Sequence, residues 1–196
     1  MTILVTGGAG FIGSNFVLDW LACHDEPVVN LDKLTYAGNL ANLSSLQGDS
    51  RHIFVNGDIS DSALVNTLLT QHKITAVIHF AAESHVDRSI HGPEAFIQTY
   101  IVGTFKLLES TRAYWNDLDS LSRQNFRFLH VSTDEVFGSL DKTAHPFTES
   151  NRYEPNSPYS ASKASSDHLV RAFHHTYGMV SFRQACASRY FQFFCI

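Results

Sequence analysis

The sequence predicts an α/β fold, a doubly wound parallel sheet with helices on both faces. Three observations predict it. Short apolar runs alternate with segments of helical spacing along most of the chain, and such βαβ order builds a parallel sheet. The apolar runs are nearly continuous rather than alternating, which marks strands buried on both faces. A glycine-rich turn, "VTGGAGFIG", joins the first run to the first helix.

The elements follow in order. "TILVT" is a β-branched strand. "FIGSNFVLDWLAC" places Phe11, Ile12, Phe16, Val17 and Leu21 at helical spacing. "PVVNLD" and "HIFVNGD" are strands, "DSALVNTLLTQH" is a helix and "AVIHFAA" is a strand. A long helix is expected from about Pro93 to Asp117, then the strand "FRFLHVS". A polar loop from Ser139 to Pro158 holds three of the five prolines and is the candidate mobile segment. A helix is expected from about Tyr159 to Tyr177. The apolar stripe Phe96, Ile101, Phe105 and Leu108 fits either a core face or a helix-pair dimer surface.

Composition narrows the function classes. With 196 residues, 44% hydrophobic and 17% charged, the chain has ample material for a core. A net charge of -5 argues against general affinity for nucleic acid. Cys23, Cys186 and Cys195 form no CxxC pair, so neither zinc nor a disulfide framework is implied, and a reducing cytoplasm is the simplest setting. His79, His85 and His91 recur every six residues, which fits no helix face and no metal set. The N-terminus lacks a signal-peptide pattern, and no segment is long enough to span a membrane.

Ligands of parallel sheets bind beyond the carboxyl ends of the strands. At the first such end, Gly7, Gly10 and Gly13 permit a tight turn and close approach of a pyrophosphate to a helix N-terminus. Asp32 closes the second strand 19 residues after Gly13, placed to accept hydrogen bonds from an adenosine ribose. A carboxylate there favours NAD over NADP, because it would repel a 2′-phosphate. The plainer alternative is a structural glycine turn with an unrelated acid. Asp58 and Ile59, after the third strand, would flank the adenine, although Asp58 serves equally well as a helix cap.

Two further patterns carry chemistry. In "YSASK", Tyr159 and Lys163 share a helix face at i, i+4. A lysine ammonium lowers the pKa of a neighbouring phenol, and the phenolate can take a hydroxyl proton while hydride leaves the same carbon. Alone, the pair would read as a surface contact; after a dinucleotide turn it reads as catalytic. In "HVSTDEVFG", the apolar strand ends abruptly in Thr133, Asp134 and Glu135. Capping would explain two acids there, but the buried strand before them favours a catalytic role.

These stretches resemble the extended short-chain dehydrogenase/reductases, and within them the dTDP-glucose 4,6-dehydratases. The resemblance runs from residue 1 to about Gly178, on "TGGAGFIG", "NLDKLTYAGNL", "HFAAESHVDRSI", "VSTDEVFG" and "PYSASKASSDHLV". Related sugar-nucleotide epimerases share the glycine turn and the Tyr–Lys pair without the Thr-Asp-Glu triplet, so a 4-epimerase is the runner-up. The resemblance implies a homodimer that loses water from dTDP-glucose to give dTDP-4-keto-6-deoxyglucose, as in dTDP-rhamnose biosynthesis. It assigns Tyr159 with Lys163 to C4-hydroxyl deprotonation and Thr133 to the C4 oxygen. Glu135 becomes the C5 base and Asp134 the acid for the C6 hydroxyl. The last two roles need an ionised Glu135 and a protonated Asp134, hence environments that push their pKa values apart. It extends the NAD contacts to Phe11, Ile12, Lys33, Leu34, Thr35, Phe80, Ala81, Ala82, Glu83, Ser84 and Thr99, and puts Ser84 or His85 toward the sugar.

Two departures stand out. Tyr100 follows the threonine of "QT" where the family pattern has asparagine, and its phenol would crowd the site. After "HHTYG" the family continues with a strand, an asparagine-rich turn and a C-terminal substrate domain, whereas this chain reads "MVSFRQACASRYFQFFCI". Residues 1–178 are therefore expected to form the dinucleotide-binding domain. Residues 179–196, with no helix or strand pattern of their own, read as a frameshifted or truncated tail. An inactive NAD-binding fragment is the alternative that follows.

Overall fold

The structure, a computed structural model, describes residues 1–83, 86–141, 143, 145–148 and 150–186. Its centre is a six-stranded parallel sheet in the order β3-β2-β1-β4-β5-β6. The strands are β1 (Ile3–Thr6), β2 (Val28–Asp32), β3 (His52–Asn56), β4 (Ala76–His79), β5 (Arg127–Thr133) and β6 (Ser181–Cys186). This is the doubly wound order, whose crevice lies where the chain switches from β1 to β4.

Burial on both faces explains the apolar runs. In β1, Leu4 joins one core cluster while Ile3 and Val5 join the other. Val77 and Ile78 of β4 divide the same way. Helix α1 (Phe11–Cys23) covers one face through Phe16, Val17 and Leu21. Helices α2 (Ser62–Gln71), α5 (Thr104–Asp117) and α7 (Pro158–Tyr177) cover the other, through Val65, Leu107 and Val170 among others. Phe11 and Ile12 leave the expected core face. They are 82% and 37% exposed, because the first turn of α1 fronts the crevice rather than the sheet.

The expected long helix is helical throughout but not uniform. It comprises α4 (Pro93–Ile97), a π-helical turn (Gln98–Gly103) and α5, preceded by the short α3 (Val86–His91). Helix α6 (Ser120–Asn125), capped by Asp119, and a 3-10 turn at Leu40–Leu46 had no clear apolar period to signal them.

The expectation for the tail is corrected over its first part. Residues Ser181–Cys186 form β6, in register with β5 from Phe128↔Ser181 to Thr133↔Cys186. The segment lacks a strand pattern of its own, yet β5 offers it an unpaired backbone edge, and strand formation depends on such neighbours as much as on propensity. Met179, fully buried, anchors the turn from α7. The loop expected to be mobile has anchoring contacts among its described residues. The Glu154 amide donates to the Val136 carbonyl at 3.0 Å, and the rings of Phe147 and Tyr153 pack on Phe137. Among the described residues no helix is long and apolar enough to cross a membrane.

Candidate active site

A groove of about 620 Å3 opens at the carboxyl ends of the strands. One end is shaped by backbone. Gly7 has φ +74°, and a Cβ there would lie 2.5 Å from the Ala81 amide nitrogen. A Cβ on Gly13 would lie 2.3 Å from the Gly7 carbonyl oxygen. Any side chain at either position would push the first turn of α1 away from the sheet. Gly10 is the N-cap of α1 and supplies no side-chain cap, and Gly10 through Gly13 line the groove. The result is an open helix N-terminus with no acid in its first turn, a fit for a pyrophosphate.

Asp32 is 8% exposed and lines the same groove. Its two carboxylate oxygens accept from the Ala9 amide at 2.9 Å and the Leu34 amide at 2.8 Å. It therefore ties the glycine turn to β2 while each oxygen retains a lone pair for a ribose hydroxyl. Lys33, Thr35, Asp58, Ile59, Phe80, Ala81, Ala82, Glu83 and Thr99 all line the groove. Leu34 does not line it. Its φ is +53°, and its side chain packs on the core beneath α1. Ser84 and His85 lie outside the described residues.

The two readings of Asp58 separate cleanly. Asp61, not Asp58, caps α2, accepting from the Leu64 amide at 3.0 Å. Asp58 instead pairs with the Lys33 ammonium at 2.6 Å and accepts from the Ser60 amide and hydroxyl. Burial pushes the Asp58 carboxyl up, but these partners outweigh it and hold the group below the usual range.

The other end of the groove carries the titratable side chains. Helix α7 begins with a capping box, Ser157 with Ser160, and Pro158 in its first turn. That start puts Tyr159 in the first turn and Lys163 one turn on, and both line the groove beside Thr133. Lys163 is 5% exposed, and its ammonium donates to the Val131 carbonyl at 2.8 Å. Tyr100, absent from the expected site contacts except as an obstruction, lines the groove as well.

Asp134 and Glu135 open a 3-10 turn (Asp134–Phe137) just past β5, with Thr133 as its cap. The Glu135 amide donates to Thr133 Oγ1 at 3.3 Å, and the Thr133 hydroxyl reaches Asp134 at 3.4 Å, both long contacts. The acids thus do not cap the turn; Thr133 does. Both are half-buried beyond the residues that line the groove. Burial first, and the Asp134 charge second, push the Glu135 carboxyl up.

A buried network that no motif announced holds β5 against α7. Asp167, one turn beyond Lys163, accepts from the Ser132 hydroxyl and the Tyr153 phenol, both at 2.7 Å. The His130 ring lies 3.2 Å from the same carboxylate. Behind it, His79 shares hydrogen bonds with Thr6 and Thr104 and stacks on His130 at 5.1 Å. Burial drives the His79 pKa well down, so its imidazole stays neutral. Position 79 is a strand-end core histidine with both ring nitrogens hydrogen-bonded.

Fold and groove together define a Rossmann-type α/β unit. The chain belongs to the family described as GDP-mannose 4,6 dehydratase, whose sequence profile matches residues 4–193. The match continues past Gly178, where the motif resemblance ends. A curated relative, the dTDP-glucose 4,6-dehydratase of Xanthomonas campestris pv. campestris (strain B100), is 63% identical over 189 residues, covering 96% of this chain and 53% of the relative. The crystal structure of a dTDP-glucose 4,6-dehydratase from Streptomyces venezuelae, with NAD bound, superposes with a TM-score of 0.85 at 48% identity, covering 95% of this chain and 55% of that one. A UDP-glucose 4-epimerase of Thermus thermophilus, in complex with NAD, superposes at 0.80 with 30% identity, covering 94% of this chain and 54% of that one. The chain is a homologue of the dTDP-glucose 4,6-dehydratases and spans about half the length of the curated relatives it matches.

Proposed function

We propose that the chain is the NAD-binding half of a dTDP-glucose 4,6-dehydratase, carrying the proton-transfer residues of the reaction but not a complete sugar-nucleotide site. One observation carries this reading. A single groove joins an open helix N-terminus and Asp32 at one end to Tyr159, Lys163 and Thr133 at the other. The glycine cradle and uncapped helix suit a pyrophosphate, Asp32 suits a ribose diol, and Thr99 and Tyr159 stand toward the redox end.

Bound NAD would accept the hydride from the sugar C4 and, once water has left, supply it back at C6, so that no net oxidant is needed. The remaining roles belong to this chain. Tyr159 takes the C4-hydroxyl proton, and the buried Lys163 ammonium stabilises the phenolate. Thr133 donates to the C4 oxygen. The ketone acidifies C5, whose proton Glu135 removes; an upward-shifted carboxylate is a stronger base than an ordinary one. Asp134 protonates the leaving C6 hydroxyl. The triplet supports dehydration over 4-epimerisation, because epimerisation needs no C5 base or C6 acid.

The test has two arms. Calorimetric titration of the purified 196-residue chain should detect NAD binding, and an assay for a 4-keto-6-deoxy sugar nucleotide should detect little or no turnover. In a longer protein carrying this segment, Glu135→Gln should accumulate reduced cofactor without product, with elimination slowed about 10²–10⁴-fold. Undetectable NAD binding would sink the cofactor assignment. Full turnover by the 196-residue chain would show its substrate site to be complete, and normal elimination by Glu135→Gln would remove that residue from the mechanism.

A further inference from the structure

We propose that Tyr100 is a positioning residue for the Tyr159–Lys163 pair, its ring face seating the lysine ammonium and its edge fixing the Tyr159 ring. The inference rests on reading those two residues as the proton-transfer pair of the groove. Tyr100 is fully buried in the π-helical turn Gln98–Gly103, and it lines the groove next to Thr99. Such turns often mark functional positions. Its hydroxyl donates to the Glu83 carbonyl after β4. The Lys163 ammonium lies 4.7 Å from its ring centroid, within cation–π range. The Tyr159 ring meets it edge-on, with centroids 5.7 Å apart at 74°, and Phe96 meets Tyr159 in the same way at 6.2 Å.

A lysine side chain is long and rich in rotamers, so its charge acts at a fixed distance only where contacts hold it. Here the fixed references of the ammonium include the Val131 carbonyl of β5 and the Tyr100 ring. Tyr100 is itself held at both ends. Burial, reinforced by the nearby Tyr159, Glu83, Tyr36 and Glu135, keeps its phenol neutral at any working pH. It therefore cannot compete with Tyr159 as a base. His79, which feels the Lys163 charge, also stays neutral. The phenol expected to crowd the site instead fixes the geometry of its charge.

The test reads the ionisation of Tyr159 in the purified 196-residue chain, by ultraviolet absorbance against a matched Tyr159→Phe version of each variant. Tyr100→Phe keeps the ring and loses only the bond to Glu83, so the Tyr159 midpoint should not move. Tyr100→Leu keeps water out with an apolar side chain but has no π face, so the midpoint should rise by about one pH unit. Incorporating pentafluorophenylalanine at position 100 keeps the shape of phenylalanine and reverses its ring field. It should raise the midpoint as well, and it stands in if the leucine variant fails to fold by circular dichroism. Lys163→Met separates the two ways to fail. A midpoint indifferent to Lys163 overturns the pair itself. A midpoint that moves with Lys163 but not with the leucine or fluorinated ring overturns the role of Tyr100.

Discussion

At the β1–α1 end of the groove, shape comes from backbone: Gly7 rests against the Ala81 amide, Gly13 against the Gly7 carbonyl, and Asp32 commits its oxygens to two main-chain amides. At the β5–α7 end, side chains hold other side chains. Tyr100 seats Lys163, and Asp167 clamps Ser132 and Tyr153. The first construction is backbone packed on backbone, and any added atom breaks it. The second is assembled from distant parts of the chain, so single changes should loosen it in graded, pH-dependent ways.

The harshest way to break the comparison is at the backbone end. Gly7→Val introduces a β-branched side chain at φ +74° against backbone atoms. It should cost more than about 3 kcal/mol and eliminate NAD binding. Urea unfolding with a cofactor titration checks both, and a stable, binding-competent variant would mean the turn has slack.

Asp167→Asn probes the side-chain end. Burial raises the Asp167 carboxyl, but His130, Ser132 and Tyr153 outweigh it and hold the group below its ordinary value of 3.8. The carboxylate therefore stabilises the fold fully above that value, and the contribution fades as pH falls through the lower folded value. Removing its charge should cost about 3 kcal/mol at neutral pH, a deficit that closes in acid. Unfolding measured across pH reads this directly. A deficit unchanged in acid would mean the charge is not what stabilises the clamp.

A smaller effect is expected for Asp32→Asn. The amide keeps one acceptor for the Ala9 and Leu34 amides and loses the charge, costing about 1–2 kcal/mol. The preference for NAD over NADP should narrow, and paired titrations with both cofactors test it. An unchanged preference would place cofactor discrimination elsewhere.

The smallest effect belongs to the groove's rim. Lys33 and Asp58 pair at 2.6 Å, but the lysine side chain is 64% exposed. Lys33→Met should change stability by less than about 1 kcal/mol, readable as a small shift of the urea midpoint. A larger loss would show that the rim pair supports the adenine end of the groove.

How much was legible in the sequence follows the same division. The glycine turn, Asp32, the Tyr–Lys pair and the strand-tip triplet each depend on a few neighbouring residues, whose spacing by itself dictates a turn, a shared helix face or a strand end. The parallel sheet follows from the alternation of elements joined by crossovers. What only the tertiary structure decided involves partners far apart in the chain. Ser132 meets Asp167 across 35 residues and Thr6 meets His79 across 73. Tyr100 reaches both Glu83 and the Lys163 ammonium, and β6 exists because β5 offers it an edge. None of these has a local period, because each is set by which surfaces the packed sheet and helices bring together.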